Sequence, residues 1–171
     1  MHWAVEGLSH VMPPPRDGGD PVNWDALRVD TGWQLPADYR DFVTVYGMGT
    51  ISDSIGIRTP RFEGYPYEDH LLFHAEQALA DGELTWASNE AGDDFLWRCI
   101  GTPERWAVIF RPRDRRQDHT YEMGMAEFLL HLVRGEIRPP LEAEFAMPAT
   151  FESWREEEQR LRDEDGGLEG F

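Results

Sequence analysis

The segment that most constrains the fold runs from Leu35 to Ile57. Pro36 stands where a helix begins, because the amide hydrogen that proline lacks is unused in a first turn. Gly47 and Gly49 follow the helix, and glycine adopts the left-handed conformation of a C-terminal cap without steric cost. Three isoleucines beyond this glycine corner predict extended chain. Between Pro36 and Gly47, four large side chains recur at the i, i+3, i+4 and i+7 spacing of one helical face: Tyr39, Phe42, Val43 and Tyr46.

Apolar periodicity predicts three further helices, at residues 21–31, 69–80 and 125–133. Trp24 and Leu27 share one face of the first. Between the last two helices, runs of aromatic and β-branched residues separated by turn residues predict four strands, at 84–87, 95–100, 106–110 and 119–122. The third is almost wholly apolar, as in a strand covered on both faces. These elements predict an α+β fold with a mixed or antiparallel sheet flanked by helices.

The two ends of the chain differ from its middle. Residues 1–8 are expected to dock as a short strand or turn, and the Pro/Gly-rich residues 13–20 predict a linker. Beyond residue 140 the chain becomes strongly acidic. Thr150 is expected to cap a helix there, with Phe151, Trp154 and Leu161 on one sparse stripe. The predicted organisation is an N-terminal segment (1–20), one domain (21–140) and an acidic, partly helical appendage (141–171).

The net charge of −17 restricts the class of partner. Nucleic acids and anionic membranes attract basic patches, so neither is an expected ligand. A basic protein is favoured by complementary potentials, although an acidic surface also serves solubility alone. All basic residues other than histidine are arginines, so the chain has no lysine for Schiff-base or phosphate-loop chemistry.

Cys99 is the single cysteine, so the chain forms no internal disulfide and no cysteine-based metal cluster. The first residues lack the basic and apolar regions of a secretory signal, and no apolar run is long enough to cross a bilayer. We therefore expect a cytoplasmic protein.

An acidic and aromatic loop, together with two turns, is the best candidate for a partner-binding surface. Tyrosine is a favoured interface anchor, and carboxylates pair with basic side chains. Two alternatives remain open: the loop tyrosines pack onto the core, and the turn carboxylates are simply solvated. The candidate residues are Asp53, Glu63, Tyr65, Tyr67, Glu68, Asp69, Glu90, Asp93 and Asp94.

Other patterns give weaker indications of chemistry. His70 and His74 have a spacing that zinc sites use, but no glutamate follows His70 and no cysteines complete a ligand shell. No serine lies in a Gly-x-Ser-x-Gly context. We therefore expect no metal, no cofactor and no catalytic residue. A hydrolase using Asp93 or Asp94 is the enzymatic alternative.

The sequence also resembles a known family. The stretch LPADYRDFVTVYGMGTISDSIGIRTP looks like the opening signature of the SUKH superfamily, with its Leu-Pro helix, Tyr-Gly-x-Gly corner and strand ending at proline. Later, GDDFLW, GTPERW and EFLLHLVRGEI match the family's order of tryptophan strands and closing helix. The resemblance covers roughly residues 21–137.

This superfamily contains bacterial immunity proteins and fungal regulators of cell-wall synthesis. The resemblance implies an α+β binding protein without enzymatic activity. It implies first an immunity protein that occludes a cognate toxin, plausibly a basic nuclease. The alternative is a regulatory scaffold that binds cellular proteins.

Overall fold

A computed structural model describes residues 1–141 and 145–166, which contain six α-helices and seven strands. The helices are α1 (Trp3–Val11), α2 (Trp24–Thr31), α3 (Ala37–Val45), α4 (Ala75–Asp81), α5 (Met125–Val133) and α6 (Trp154–Gly166). The strands are β1 (Gly49–Ile51), β2 (Ile55–Ile57), β3 (Glu83–Asn89), β4 (Asp94–Arg98), β5 (Ala107–Arg111), β6 (His119–Tyr121) and β7 (Phe151–Ser153). No helix among these residues is long and apolar enough to cross a membrane.

The strands form one antiparallel sheet in the order β6-β5-β4-β3-β2-β1-β7. Each strand from β1 to β5 pairs with the next along the chain. The last strand, β7, returns to pair with β1, so that Thr50 lies opposite Gly56 on one side and Glu152 on the other. The predicted α+β class is confirmed, and the sheet is antiparallel throughout.

Helix α3 forms as predicted and packs on the sheet through its aromatic face. Its four periodic side chains are fully buried. The Tyr39 ring meets Trp97 edge to face at 5.0 Å between centroids, and the Phe42 ring stacks on Tyr46 at 4.8 Å. Phe151 from β7 contacts the rings of both Phe42 and Tyr46.

Helices α1, α3 and α5 pack on one another and cover one face of the sheet. The aromatic side chains of β3 and β4 point into this layer, where Phe128 of α5 contacts Trp86 and Phe95. Because side chains alternate along a strand, the register places a polar row on the opposite face. This row crosses the sheet through Glu152, Thr50, Gly56, Ser88, Asp94 and Arg111.

The prediction of a strand or turn at residues 1–8 is wrong, because this segment forms the core helix α1. Ala4, Val5, Leu8 and Met12 are fully buried, while Trp3 is 56% exposed. Their spacing is that of one helical face. The large exposed tryptophan obscures this pattern in the sequence.

Three other boundaries differ from the prediction. The extended chain at 51–57 is a tight hairpin, because Ser52 and Asp53 adopt positive φ angles of 49° and 53°. The helix predicted at 69–80 is confined to α4, and the residues before it form turns. The acidic tail contributes strand β7 before its helix, so Phe151 lies in the sheet and not on a helix capped by Thr150.

Helix α1 and strand β7, which lie outside residues 21–140, are therefore built into the same core as the predicted domain. Helix α1 and Phe151 both belong to the single cluster of buried apolar residues. The division of the chain into residues 1–20, 21–140 and 141–171 stays a prediction.

Gly49 is required where β1 and β7 meet. A Cβ atom at this position would lie 2.2 Å from the Glu152 carbonyl oxygen and 2.7 Å from the Phe151 ring. We expect Gly49→Ala to lower the free energy of unfolding by about 2 kcal/mol, because a backbone oxygen must move to admit the methyl group. Urea denaturation measures the change. Gly64→Ala is the control, because Gly64 has a left-handed backbone conformation and no atom near the position of a Cβ, so this variant reports backbone strain alone. Equal losses in the two variants would contradict the steric explanation.

Candidate protein-interaction surface

The predicted aromatic loop packs against the start of helix α6. The Phe62 ring lies 5.2 Å from Tyr65 and 6.2 Å from Trp154, measured between centroids. The Arg155 guanidinium stacks over the Trp154 ring at 4.4 Å. Cation–π stacking of this kind holds a charged side chain flat on its aromatic neighbour. The Phe62 ring, which also lies 6.0 Å from the Arg155 guanidinium, thus places the loop against the start of α6.

The two predicted turns meet at the edge of the sheet. Because Ile55 pairs with Asn89, the turn between β1 and β2 lies beside the turn between β3 and β4. Asp53 and Glu90 are exposed there and line one open cavity with Glu152 and Glu157. The sheet register therefore brings together carboxylates that are far apart in the sequence.

Helix α6 connects these turns to the loop. Glu157 faces the cavity, and burial followed by the charges of Glu157 and Glu158 raises the pKa of Tyr67. The Tyr67 side chain is 47% exposed beside them. We call this set the acidic surface: Asp53, Tyr67, Glu90, Glu157 and Glu158.

The charges of the acidic surface are only partly neutralised within the chain. Arg162 pairs with Glu158 at 3.2 Å. Glu152, which lines the same cavity but is not one of this set, accepts two hydrogen bonds from Arg160 at 2.8 and 3.2 Å. Among the described residues, no arginine or histidine forms an ion pair with Asp53, Glu90 or Glu157. These carboxylates are thus available to accept hydrogen bonds from basic groups of a partner, next to an exposed aromatic ring.

The other residues predicted in the loop are three exposed carboxylates and one partly buried tyrosine. Glu63, Glu68 and Asp69 are exposed and add negative charge to the loop. Tyr65 is partly buried and donates a hydrogen bond to the Asp69 carbonyl oxygen at 2.9 Å. Burial, followed by the Asp69 charge, raises its pKa to about 12. Tyr65 therefore stiffens the loop, while Tyr67 is the ring that a partner can reach.

Asp93 does not belong to the exposed surface. It is fully buried, and its carboxylate accepts hydrogen bonds from the Asn89 side chain at 2.9 Å and from the Arg113 backbone at 3.0 Å. It therefore organises its own turn. Asp94 lies on the opposite face of the sheet from the core, where Ser88 and Arg115 contact it at 2.9 and 3.1 Å.

Asp20 anchors α6, a role that no pattern in the sequence indicates. Its side chain is fully buried and accepts hydrogen bonds from the Met48 backbone at 2.6 Å, the Trp154 indole at 3.0 Å and the Arg155 guanidinium at 2.8 Å. The predicted linker (13–20) thus contains the residue that anchors the C-terminal helix.

A local signal for the start of α6 does exist in the sequence. Ser153 and Glu156 form a capping box, in which each side chain bonds the other residue's backbone amide. This pattern places the helix start at Trp154, three residues after the position predicted from Thr150.

The histidines and the single cysteine are the remaining side chains considered as metal ligands or nucleophiles. Among the described residues, no three histidine, cysteine or carboxylate side chains are grouped as metal ligands. Burial raises the pKa of the Cys99 thiol to about 12, so it is protonated at neutral pH. The acidic surface therefore provides carboxylate hydrogen-bond acceptors and the Tyr67 ring.

Comparison with known proteins finds no match: no protein-family model, no curated protein and no solved structure is similar to this chain.

Proposed function

We propose that this protein is a non-catalytic binding module that holds a basic protein partner, and that it acts as an immunity protein of the SUKH type. The observation that supports this best is the acidic surface, where the exposed Asp53 and Glu90 share one open cavity with the half-buried Glu157. None of the three forms an ion pair with a described residue, and Glu157 lies close to the exposed Tyr67 ring. The sequence motifs that resemble the SUKH superfamily favour a bacterial toxin as the partner. The toxin would be blocked because the bound module covers its active surface.

The acidic surface suits this role on electrostatic grounds. A chain with a net charge of −17 attracts a basic protein over a distance of several ångströms and raises the rate of encounter. Contact is then made by carboxylates at fixed positions, since Asp53 and Glu90 lie on hairpin turns and Glu157 on a capped helix. Tyr67 supplies the amphipathic ring that interface centres favour.

Reversal of the unpaired charges is expected to abolish binding. The triple variant Asp53→Lys, Glu90→Lys, Glu157→Lys should weaken the complex with a toxin domain encoded beside the gene by about a thousandfold or more, because each like-charge contact costs on the order of 1–2 kcal/mol. Isothermal titration calorimetry at about 50 mM and about 500 mM salt measures the loss and its screening.

The matched control carries the same change in net charge at another place. Asp30, Glu76 and Glu104 are exposed, outside the acidic surface and free of ion pairs with the described residues. Reversing these three should slow association but leave the dissociation rate unchanged. Equal losses of affinity in the two triple variants would show that net charge, and not this surface, governs binding.

The identity of the partner decides between the two functions within the family resemblance. Tagged protein isolated from its host should retain one small basic protein that high salt releases. Several acidic or neutral partners that survive high salt would overturn the immunity role and favour a regulatory scaffold.

A further inference from the structure

A second site lies on the face of the sheet that carries the polar row, away from the acidic surface. A half-open cavity of about 260 Å³ lies between this face and the segment that runs from His70 to Asp81. Thr85 and Leu96 contribute to its lining from β3 and β4, and Arg58, which follows β2, lines it as well. The cavity is large enough for one anionic group with a small organic body.

The carboxylates that line the cavity are already engaged. Arg111 bonds Glu83 through two nitrogens at 2.8 and 3.0 Å, and Arg115 contacts Asp94 at 3.1 Å. Asp81 accepts a hydrogen bond from the Gln77 side chain at 2.9 Å. Arg111 and Arg115 are therefore engaged with Glu83 and Asp94, and Arg58 is the lining arginine without an ion pair among the described residues.

Arg58 is the principal donor of the site. Its backbone is fixed, since its amide donates to the Trp86 carbonyl at 2.9 Å and its own carbonyl accepts the Tyr39 hydroxyl at 2.6 Å. Its guanidinium forms no ion pair with a described residue. An arginine whose backbone is held by hydrogen bonds and whose guanidinium has no ion pair is suited to bind an oxyanion through two parallel hydrogen bonds.

His70 adds a donor whose tautomer is set by the fold. The Leu72 amide donates to His70 Nδ1 at 3.3 Å, so in the neutral ring the proton resides on Nε2. Burial, followed by the charge of Arg61, lowers the pKa of this ring, while Asp69 acts in the opposite direction. His74 lies on the same segment and also lines the cavity.

We propose that this cavity binds a small ligand through an oxyanion, a phosphate or a carboxylate, held by Arg58, His70 and His74. The net charge of the protein opposes any anion, so the affinity depends on these short-range donors, and added neutral salt weakens the repulsion. The cavity lining includes no residue of the acidic surface, and the proposal goes beyond the proposed function.

Histidine resonances provide a direct test with defined probes. The full-length protein is titrated with inorganic phosphate at constant ionic strength, and the ring signals of all six histidines are followed by NMR. The signals of His70 and His74, assigned with the variants His70→Gln and His74→Asn, should shift along a saturating curve. His2, His10, His119 and His131 lie outside the cavity and should not follow that curve.

The variants define the site. Arg58→Gln should weaken phosphate binding by about tenfold, because it removes a charge-assisted contact. Arg28→Gln, on exposed α2, is the matched control and should leave binding unchanged. Unaltered melting temperatures confirm that each variant is folded. His74→Asn, at an exposed position, gives a second test and should also weaken phosphate binding.

The choice of probe separates the two oxyanions. Saturating shifts with phosphate but not with acetate assign the site to phosphate groups, and the reverse result assigns it to carboxylates. A shift that rises linearly and equally at all six histidines would overturn the proposal, as would full affinity in Arg58→Gln.

Discussion

Replacing Phe128 by alanine should lower the free energy of unfolding by about 4 kcal/mol. The Phe128 side chain is fully buried between helix α5 and the sheet, with its ring 5.0 Å from Tyr121, 6.0 Å from Phe95 and 6.2 Å from Trp86. Truncation removes apolar contacts to three rings and leaves a cavity that aromatic neighbours fill poorly. Denaturation in urea, followed by tryptophan fluorescence, measures the change.

An exposed apolar residue provides the control for this experiment. Val29 on α2 is 79% exposed, so Val29→Ala should change the stability by less than about 0.5 kcal/mol. A loss below about 1 kcal/mol for Phe128→Ala would mean that α5 does not cover the centre of the sheet.

Replacing Asp20 by alanine should cost about 3 kcal/mol and should loosen helix α6. The substitution leaves the Met48 amide, the Trp154 indole and the Arg155 guanidinium without their shared acceptor. Because no residue of α6 is buried, these contacts carry much of its attachment to the rest of the protein. Hydrogen exchange should therefore accelerate in α6 more than in α3 or α5.

Asp17→Ala is the matched control, since this aspartate is exposed and lies three residues before Asp20. It should leave both the stability and the exchange of α6 unchanged. If Asp20→Ala loosens α6, it should also weaken binding to the basic partner, because Glu157 and Glu158 would lose their fixed positions. Unchanged exchange in α6 would show that the capping box and β7 suffice to hold the helix.

Several elements were predictable because their determinants are local. The spacing from Tyr39 to Tyr46, with proline before and glycine after, specifies α3 whatever its surroundings are. The segments corresponding to α2, α5 and the four strands from β3 to β6 are likewise encoded by short-range periodicity and turn residues. The α+β class follows from their order alone.

The acidic surface was only partly predictable. The sequence indicated Asp53, Tyr67 and Glu90 as candidate binding residues of turns and loops, and left open whether the tyrosine packs on the core. It did not identify Glu157 and Glu158, because α6 had the composition of a solvated appendage. It also did not distinguish Asp93 from Asp94, since adjacent side chains on one strand edge point to opposite sides and only packing decides which one is buried.

The sequence by itself determined the helical faces, the strand segments, the strong negative charge and the lack of cysteine pairs. Tertiary structure alone decided that β7 closes the sheet on β1 and that Asp20 bonds Trp154, a residue 134 positions away. Strand pairing uses backbone groups that every residue possesses, so the sequence of an edge strand does not name its partner. A buried carboxylate likewise finds its donors only when distant segments are packed together, and that packing formed both the acidic surface and the cavity beside Arg58.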